Sequence, residues 1–309
     1  MLLATCGGRL DAQVRYEFSE LHMGVEVRIA LYAPDDARAR AAARVAFDRV
    51  AGLENIMSDY RPKSEIRRLT ETPDEWVPVS DDLFRVLSRA VDVASATDGA
   101  FDPTIGPLVV LWREARRLHR LPADSALDAA RTLVDWRRIT LDTAGQRVRI
   151  HGAGVRLDLG GIAKGDAVQQ AVFALRSAGI ASALVEAGGD IAVGDAPPGQ
   201  PGWRIDVPGG DSLVRARASA ISNAVVSTSG PGFQFLELGG VRYSHVVDPR
   251  TGIGLTSAAQ ATVIASDGAL ADALSTALTV LGGGGAILLM HRYPGVIACV
   301  APLRHPLRQ

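Results

Sequence analysis

The sequence lacks several features by which specialised classes of protein are recognised. It contains two cysteines, Cys6 and Cys299, which are too few for a disulfide framework or a cysteine-based metal site. No apolar run reaches the roughly 18 residues that suggest a membrane-spanning helix. The 33 basic and 34 acidic side chains nearly cancel. A short basic run at residues 113–120 is typical of a solvated helix face. Since a nucleic-acid-binding protein usually shows a basic excess or stripe, we expect no nucleic-acid partner.

Internal repeats and long linkers are also absent from the sequence. No period of about 20 to 50 residues recurs, which excludes solenoids and propellers. No Pro/Ser-rich segment is long enough to separate two domains. The composition is that of an ordinary globular protein, with 47% hydrophobic and 22% charged residues among 309. We expect a single domain over residues 20–309, preceded by an N-terminal segment at residues 1–19.

The N-terminal segment contains LLATCGG, in which small residues precede Cys6 as in the lipobox of a bacterial lipoprotein. Only five residues come before Cys6, too few for the charged and apolar regions of a signal peptide. Two expectations stay open: a periplasmic or membrane-anchored lipoprotein if the true start lies upstream, and a cytoplasmic protein otherwise. Cys299 lies in the apolar run VIACVA, which predicts a buried core thiol.

Hydrophobic periodicity predicts strands in hairpins, interspersed with helices. The segment VEVRIALYA alternates as a half-buried strand does. Residues 36–57 carry apolar side chains at helical spacing, and SDYRPKSEI after them reads as a polar loop. The spaced side chains are Val45, Val50, Leu53 and Ile56. Ser80 is placed to cap a second helix that stops at Gly99.

The middle and end of the chain are rich in predicted strands. RITLD and RVRIHG form one expected hairpin, and FQFLELGGVRYSHVV forms another. A strand, a glycine-rich turn and a helix are expected over GVRLDLGGIAKGDAVQQAVFALRSAG. Further strands are expected at residues 203–207, 214–218 and 224–227, and the chain closes with a helix and a strand. This arrangement predicts an α+β fold with mostly antiparallel mixed sheets and flanking helices.

The segment DLGGIAKGDA, from Asp158 to Ala167, reads as a glycine-rich turn at the start of a helix. Two glycines let the backbone approach a ligand closely, and a helix N-terminus attracts anions. Lys164 lies near this helix start, where its charge opposes the helix dipole unless it meets a phosphate or another anion. The spacing matches neither a P-loop nor GxGxxG. The residues alone leave open a phosphate site or a tight strand-to-helix turn.

The segment ADALSTAL places Asp272 and Thr276 four residues apart, and so on one face of an otherwise apolar helix. A buried carboxylate needs a partner. Carboxylate, hydroxyl and backbone carbonyl oxygens together suit a hard cation such as Mg²⁺. The alternative is an exposed Asp272 with the Thr276 hydroxyl bonded to its own helix.

Two further segments combine polar and ring-bearing residues. RYSHVVDPRTG runs from a strand into a polar turn, in which His245 is either a satisfied core histidine or an active-site group. The segment GAFDP places Phe101 beside Asp102, which suits stacking on a ring and hydrogen bonding to it, or else a helix-terminating turn.

In this order along the chain, eight segments closely resemble the ApbE family of FAD:protein FMN transferases. They are HMGVEVRI, MSDYRPKSEIRRL, TDGAFDPTIGPL, LDLGGIAKGDAV, ALVEAGGDI, STSG, YSHVVDPRTG and ADALSTAL, and the likeness extends over residues 20–302. The resemblance implies an ApbE-like, T-fold-like architecture. It implies a reaction in which FAD is cleaved at its pyrophosphate, FMN is esterified to a Thr or Ser hydroxyl of a target protein, AMP leaves, and Mg²⁺ is required.

The resemblance also implies roles for individual residues. The Ala163 carbonyl, Asp272 and Thr276 match the family's magnesium ligands, and the GGIAKG turn would meet the pyrophosphate. His245 would act as general base on the target hydroxyl, because histidine exchanges protons near neutral pH. Positions expected to contact FAD are Met23, Tyr60, Ala100, Phe101, Asp102, Asp158, Lys164, His245 and Val246.

The implied protein partner is an acceptor with a Thr/Ser flavinylation motif, within a subunit or domain of a membrane electron-transfer complex. Two other functions stay open, an FAD pyrophosphatase that releases FMN and AMP and a non-catalytic FAD-binding protein. Asp248 and Arg250 would shape the loop after His245 as an ion pair. Three positions depart from the family pattern: Asp166 replaces an aromatic residue, Glu186 an asparagine and Pro231 an aspartate.

Overall fold

The computed structural model of the protein describes residues 13–207, 210–230, 235–257 and 259–302. Helices and strands alternate irregularly along these ranges. The strands are β1 (Val14–His22), β2 (Val25–Ala33), β3 (Val77–Pro78), β4 (Ile139–Asp142), β5 (Arg147–Ile150), β6 (Ala183–Ala187), β7 (Asp190–Val193), β8 (Ala224–Ser229), β9 (Phe235–Leu238), β10 (Val241–Ser244), β11 (Ala259–Ala265) and β12 (Ile297–Pro302). The α-helices are α1 (Asp36–Met57), α2 (Glu65–Glu71), α3 (Asp81–Ala96), α4 (Gly106–Leu118), α5 (Asp124–Arg131), α6 (Ala163–Ser177), α7 (Ser212–Ala218), α8 (Gly268–Leu281) and α9 (Gly283–Arg292).

The largest sheet has seven strands in the order β1-β2-β6-β7-β8-β11-β12, and every neighbouring pair is antiparallel. Strands β3, β5 and β4 form a small antiparallel sheet, and β9 and β10 form a hairpin. The predicted α+β class with mostly antiparallel sheets is confirmed. None of the helices in the described ranges is both long enough and apolar enough to span a membrane.

Both faces of the seven-stranded sheet are covered. Strand β11 shows this, because Ala261 and Val263 face a large core shared with α1, α3, α6 and α8, whereas Ile264 faces a smaller core. Cys299 lies in the smaller core, so its predicted burial is confirmed. Helix α8 is buried along almost its whole length. Its few polar side chains are therefore held in apolar surroundings, where they need partners.

A third, separate cluster places the β9–β10 hairpin. Trp112 and Leu108 of α4 pack with Leu127 of α5, with Leu236 of β9 and with Val247 just after β10. The hairpin and the turn that follows it are thus attached to α4 and α5. This attachment sets the position of His245.

The strand predicted at residues 214–218 is wrong, because this segment forms helix α7. The alternation in SLVRARA is compatible with a strand, but Asp211 caps the helix by accepting from the Val214 N–H at 2.9 Å. Val214 and Ala218, one helical turn apart, are both fully buried. The strand predicted at residues 203–207 is also wrong. Only an isolated bridge joins Trp203 to Ile221 there.

Three local details near the N-terminal half also differ from expectation. The predicted helix at residues 36–57 is confirmed as α1, but Val45 is 47% exposed. The helix instead buries alanines, which allow a close approach to α6. These are Ala39, Ala42, Ala43 and Ala46. The loop expected over SDYRPKSEI ends earlier than predicted, because helix α2, capped by Ser64, begins at Glu65. The strand expected before the glycine-rich turn is reduced to one bridge between Arg156 and Ile105.

The first residues of the chain bear on the expected domain limits. Strand β1 begins at Val14 and pairs with β2 along its length. Residues 14–19 therefore belong to the sheet and not to a separate N-terminal segment. The segment LLATCGG and Cys6 lie outside the described residues. The compartment expected from them therefore stays a prediction.

Candidate active site

Helices α6 and α8 meet at glycines more closely than a side chain permits. A Cβ atom on Gly165 would lie 2.6 Å from Asp272 Cβ and would also strike the Gly268 carbonyl oxygen. A Cβ atom on Gly161, in the turn before α6, would lie 2.9 Å from Thr276 Oγ1. The Gly165 backbone N–H donates to Asp272 Oδ2 at 3.0 Å. The glycines of DLGGIAKGDA therefore bring the start of α6 against Asp272 and Thr276.

We expect Gly165→Ala to lower the free energy of unfolding by about 1 to 3 kcal/mol, because the added methyl group meets backbone atoms that cannot move aside. Chemical denaturation measures the change. Gly52→Ala in α1 is the matched control, since no atom lies within 4 Å of its added Cβ. It should stabilise the protein by up to about 1 kcal/mol through helix propensity. Equal effects at the two positions would contradict the close approach of α6 and α8.

Lys164 lies between two buried carboxylates at the start of α6. Its Nζ is 2.9 Å from Asp190 Oδ2 and 3.6 Å from Asp272 Oδ2. Burial by itself lowers the pKa of Lys164, but the charges of Asp190 and Asp272 outweigh burial and raise this pKa well above its ordinary value. The lysine is therefore held as a cation. The anions that it meets in this structure are protein side chains.

When both carboxylates are ionised, the Lys164–Asp190–Asp272 group has one negative charge in excess, since two carboxylates face one ammonium group. Burial raises the pKa of Asp272, and the charge of Asp190 raises it further, whereas Lys164 and the Gly165 N–H lower it. Ionised Asp272 is thus incompletely compensated by the protein. A buried carboxylate whose charge the protein does not fully balance favours a bound cation.

The oxygen ligands predicted for magnesium come from the two helices that meet at Asp272, and the metal site itself stays a prediction. Thr276 presents its hydroxyl one helical turn along α8, and Ala163 is the first residue of α6, next to Lys164. Across the described ranges, no cluster of three or more His, Cys, Asp or Glu side chains could hold a metal. A cation at Asp272 would depend on hydroxyl and carbonyl oxygens as well, and Mg²⁺ accepts such oxygen ligands.

A chain of hydroxyl groups links the Asp190 carboxylate to the Thr276 hydroxyl. Ser227 Oγ donates to Asp190 Oδ1 and lies 3.2 Å from Ser275 Oγ. Ser275 Oγ lies 2.7 Å from Ser229 Oγ, which in turn is 3.2 Å from Thr276 Oγ1. Ser227 and Ser275 are fully buried. The chain fixes Asp190 at one end and the Thr276 hydroxyl at the other.

Met23 lies at the same end of the large sheet. The two-residue turn Met23–Gly24 joins β1 to β2 and has positive φ at both residues, 51° and 75°. Such a turn matches the twist of a hairpin, but a non-glycine residue adopts this conformation at a cost. A Cβ on Gly188, in the β6–β7 turn, would lie 3.1 Å from Val25 Cγ1. The turn is thus near the segment that carries Asp190.

A second charged group surrounds Arg113 of α4. Its guanidinium pairs with Asp59, and its Nη2 lies 3.0 Å from Asp158 Oδ2. The guanidinium lies over the Tyr60 ring, 4.0 Å from the ring centroid. Asp158 Oδ1 accepts from the Gly160 N–H at 2.8 Å. The structure therefore brings the predicted FAD contacts Tyr60 and Asp158 together, and it shows that the basic run beginning at Arg113 is not merely a solvated helix face.

The turn after His245 is held by its own ion pair and by α4. Arg250 contacts Asp248 through Nε at 3.0 Å and Nη2 at 2.9 Å, so the predicted ion pair is confirmed. Trp112 Nε1–H donates to the Gly252 carbonyl at 2.8 Å. His245 follows β10 directly and is half-buried, with Val246 next to it. Trp112 and Arg113 are adjacent in α4. This helix therefore holds the turn after His245 through Trp112 and the glycine-rich turn through Arg113.

The GAFDP segment is buried, and its carboxylate anchors a turn. Asp102 Oδ1 accepts from the Thr104 N–H and hydroxyl, at 2.8 and 2.6 Å, and Oδ2 accepts from the Trp136 N–H at 2.9 Å. Ala100 and Phe101 are 1% and 4% exposed. In this arrangement the Phe101 ring belongs to the large core. The expected contacts of these residues with FAD stay a prediction.

Sequence reasoning leaves the role of Asp190 open and misses Ser227 and Arg113. Asp190 and Ser227 face each other because β7 and β8 pair in that register. The motifs ALVEAGGDI and STSG contain these two residues, but their pairing depends on strand order. Arg113 was missed because its two carboxylate partners are distant in sequence. The short basic run at residues 113–120 is the only sequence signal that includes Arg113.

The sequence profile of the ApbE family matches residues 23–301. The chain belongs to the ApbE family. An FAD:protein FMN transferase of Treponema pallidum is 33% identical to it over 315 residues, which cover 96% of this chain and 86% of that protein. Another FAD:protein FMN transferase, from Klebsiella pneumoniae, is 30% identical over 272 residues, covering 86% of this chain and 83% of that protein.

Solved ApbE structures share the fold over nearly the whole chain. The flavin transferase ApbE from Vibrio cholerae is similar with a TM-score of 0.80 and 28% identity, covering 93% of each chain. The ApbE protein of Thermotoga maritima gives a TM-score of 0.79 and 30% identity, covering 92% of this chain and 93% of that one. The architecture expected from the resemblance is therefore confirmed.

Two of the departures from the ApbE pattern have a structural explanation. Asp166 is 1% exposed and pairs with Arg85 of α3, which also contacts Asp82 at 2.8 Å. Glu186 in β6 lies opposite Arg28 of β2. Asp166 thus forms a buried ion pair with a neighbouring helix, and Glu186 lies opposite a cationic residue of the neighbouring strand. Pro231 lies outside the described residues.

Proposed function

We propose that the protein is an Mg²⁺-dependent FAD:protein FMN transferase. It transfers FMN from FAD to a Thr or Ser hydroxyl of an acceptor protein and releases AMP. The observation that carries the proposal is the buried Lys164–Asp190–Asp272 group, set against a glycine-rich turn in a chain of the ApbE family. On the other side of that turn, Arg113 contacts both Tyr60 and Asp158.

The reaction needs an acceptor oxygen to replace AMP on one phosphorus atom. The acceptor Oγ forms a bond to the FMN phosphorus, and the bond from this phosphorus to the pyrophosphate bridging oxygen breaks. AMP leaves with that oxygen. The proton of the acceptor hydroxyl passes to His245. Because the phosphorus carries negative charge, positioning and charge neutralisation are the main contributions that the protein has to make.

Lys164 supplies fixed positive charge near the glycine-rich turn. Its ammonium group is held by Asp190, whose carboxylate accepts from the Ser227 hydroxyl. The Ala163 carbonyl, the Asp272 carboxylate and the Thr276 hydroxyl would hold Mg²⁺, which supplies further charge neutralisation on the pyrophosphate when bound. The hydroxyl chain from Ser227 to Thr276 orients these groups in advance. Preorganised groups need no rearrangement during the reaction.

One experiment tests this function against its two alternatives. The protein is incubated with FAD, Mg²⁺ and an acceptor domain that carries a Thr motif, and with the same domain after Thr→Val substitution. Added FMN mass on the first domain alone supports the transferase. Free FMN and AMP without labelled acceptor indicate an FAD pyrophosphatase. Retained, intact FAD indicates a binding protein.

We expect Asp190→Asn to raise the Mg²⁺ concentration for half-maximal activity about 10- to 100-fold, because it removes the negative charge excess near Asp272 and releases Lys164. A magnesium titration of the transfer rate measures this. Asp195→Asn is the matched control, since that carboxylate is half exposed and pairs with Arg176 outside the site. A titration curve for Asp190→Asn that coincides with the control would contradict the role of Asp190.

The acceptor that we propose is a subunit or domain of a membrane electron-transfer complex. We propose that the protein shares the compartment of its acceptor. That compartment is periplasmic, with the protein free or membrane-anchored, if the native chain carries an export signal before Cys6, and it is cytoplasmic otherwise. Mass spectrometry of the native N-terminus, together with cell fractionation, tests this. A processed, lipid-modified Cys6 would support export, and an unprocessed N-terminus in the cytoplasmic fraction would reject it.

A further inference from the structure

Arg113 links two loops that come from distant parts of the chain. One is the segment after α1, with Asp59 and Tyr60, and the other is the glycine-rich turn, with Asp158. The guanidinium contacts a carboxylate of each, and its side chain is 25% exposed. A planar guanidinium suits this task, because several N–H groups diverge from one rigid plane.

The charges explain why the position requires a cation. Burial raises the pKa of the Asp158 carboxyl, and the neighbouring Asp59 raises it further, whereas Arg113 opposes both. Without Arg113, the carboxylates of Asp59 and Asp158 would face each other beside the glycine-rich turn. Their repulsion would push the loops apart and place negative charge where an anionic ligand approaches.

The contact with Tyr60 has a second consequence. Tyr60 is 73% exposed, yet the Arg113 guanidinium covers one face of its ring, 4.0 Å from the ring centroid. A stacked guanidinium limits the orientations of an otherwise free ring. One face of Tyr60 is thus backed by the protein, and the ring remains largely open to a ligand.

We infer that Arg113 is a positioning residue for FAD, which holds the Tyr60 ring and the Asp158 carboxylate in the arrangement that binds the dinucleotide. The inference rests on the proposed function, in so far as FAD is the ligand. Arg113 acts through Tyr60 and Asp158, so its loss weakens FAD binding more than it slows the chemical step. Adjacent Trp112 fixes α4 from the other side through Gly252.

The test measures FAD affinity directly, by equilibrium dialysis of the whole protein with Mg²⁺ and without acceptor. We expect Arg113→Met to raise Kd for FAD about 10- to 100-fold. In a separate steady-state transfer assay with the acceptor domain, kcat at saturating FAD should change less than about threefold. Arg113→Lys should recover part of the affinity, because it restores charge without the planar fork. Arg117→Ala, on the exposed face of the same helix and paired with Glu114, is the control and should bind FAD like the wild type.

A double variant separates positioning from mere stability. Asp59→Asn combined with Arg113→Met should bind FAD more tightly than Arg113→Met alone, because the repulsion with Asp158 is removed. A wild-type Kd for Arg113→Met, a comparable loss in Arg117→Ala, or no recovery in the double variant would overturn the inference. Failure of the proposed function is distinguishable, since a wild-type protein that binds no FAD would contradict that function itself.

Discussion

His245→Ala should lose FMN transfer about 10²- to 10⁴-fold, which is the usual contribution of a general base and a far larger loss than its loss of FAD affinity. His245 follows β10 directly and precedes a turn fixed by the Asp248–Arg250 pair and by Trp112. These contacts hold the backbone on both sides of His245. Removal of the imidazole should remove the proton acceptor and leave the loop in place.

Single-turnover transfer to the acceptor domain measures this effect, with FAD binding measured in parallel. Added imidazole should restore part of the rate in His245→Ala, because a small base can enter the space left by the side chain. His151→Ala is the control, since His151 follows β5 directly and is partly exposed, with its ring nitrogen 2.8 Å from the Thr140 hydroxyl. Normal single-turnover transfer by His245→Ala would rule out the role of general base.

Asp272→Asn should abolish the response of the transfer rate to Mg²⁺ and reduce that rate about 10²- to 10³-fold, equivalent to several kcal/mol of lost charge stabilisation. Asp272 is 1% exposed on the apolar helix α8, and its carboxylate shares Lys164 with Asp190. Asparagine keeps the shape and still accepts from the Gly165 N–H. The fold should therefore persist while the charge that attracts the metal is lost.

Thermal unfolding provides a readout that does not depend on activity. Mg²⁺ should raise the Tm of the wild type, because a ligand that binds only the folded state stabilises it. The Tm of Asp272→Asn should not respond to Mg²⁺. Asp267→Asn, at the N-cap of the same helix, is the control for a substitution on α8, and its Tm should still rise with Mg²⁺. An unchanged magnesium titration in Asp272→Asn would reject the ligand assignment.

Local sequence patterns predicted much of the fold correctly. Helix α1, the Ser80 cap of α3 and the Cys299 core position followed from periodicity and capping chemistry, which depend on neighbouring residues. The errors occurred where tertiary packing decides between two locally possible structures. Residues 214–218 alternate as a strand would, yet Asp211 caps them as α7, and Val214 and Ala218 then share one buried face.

In the candidate site, too, local sequence determines some features and tertiary packing decides the others. By itself the sequence determined the family, through the order of its motifs, and it determined that Asp272 and Thr276 share a helix face, because that depends only on a spacing of four residues. Only the tertiary structure decided that Lys164 lies between Asp190 and Asp272 and that Arg113 joins Tyr60 to Asp158. Such pairings depend on strand register and on the approach of α6 to α8, where a few ångströms decide between contact and none. Contacts between residues so distant along the chain leave no periodic pattern in the sequence.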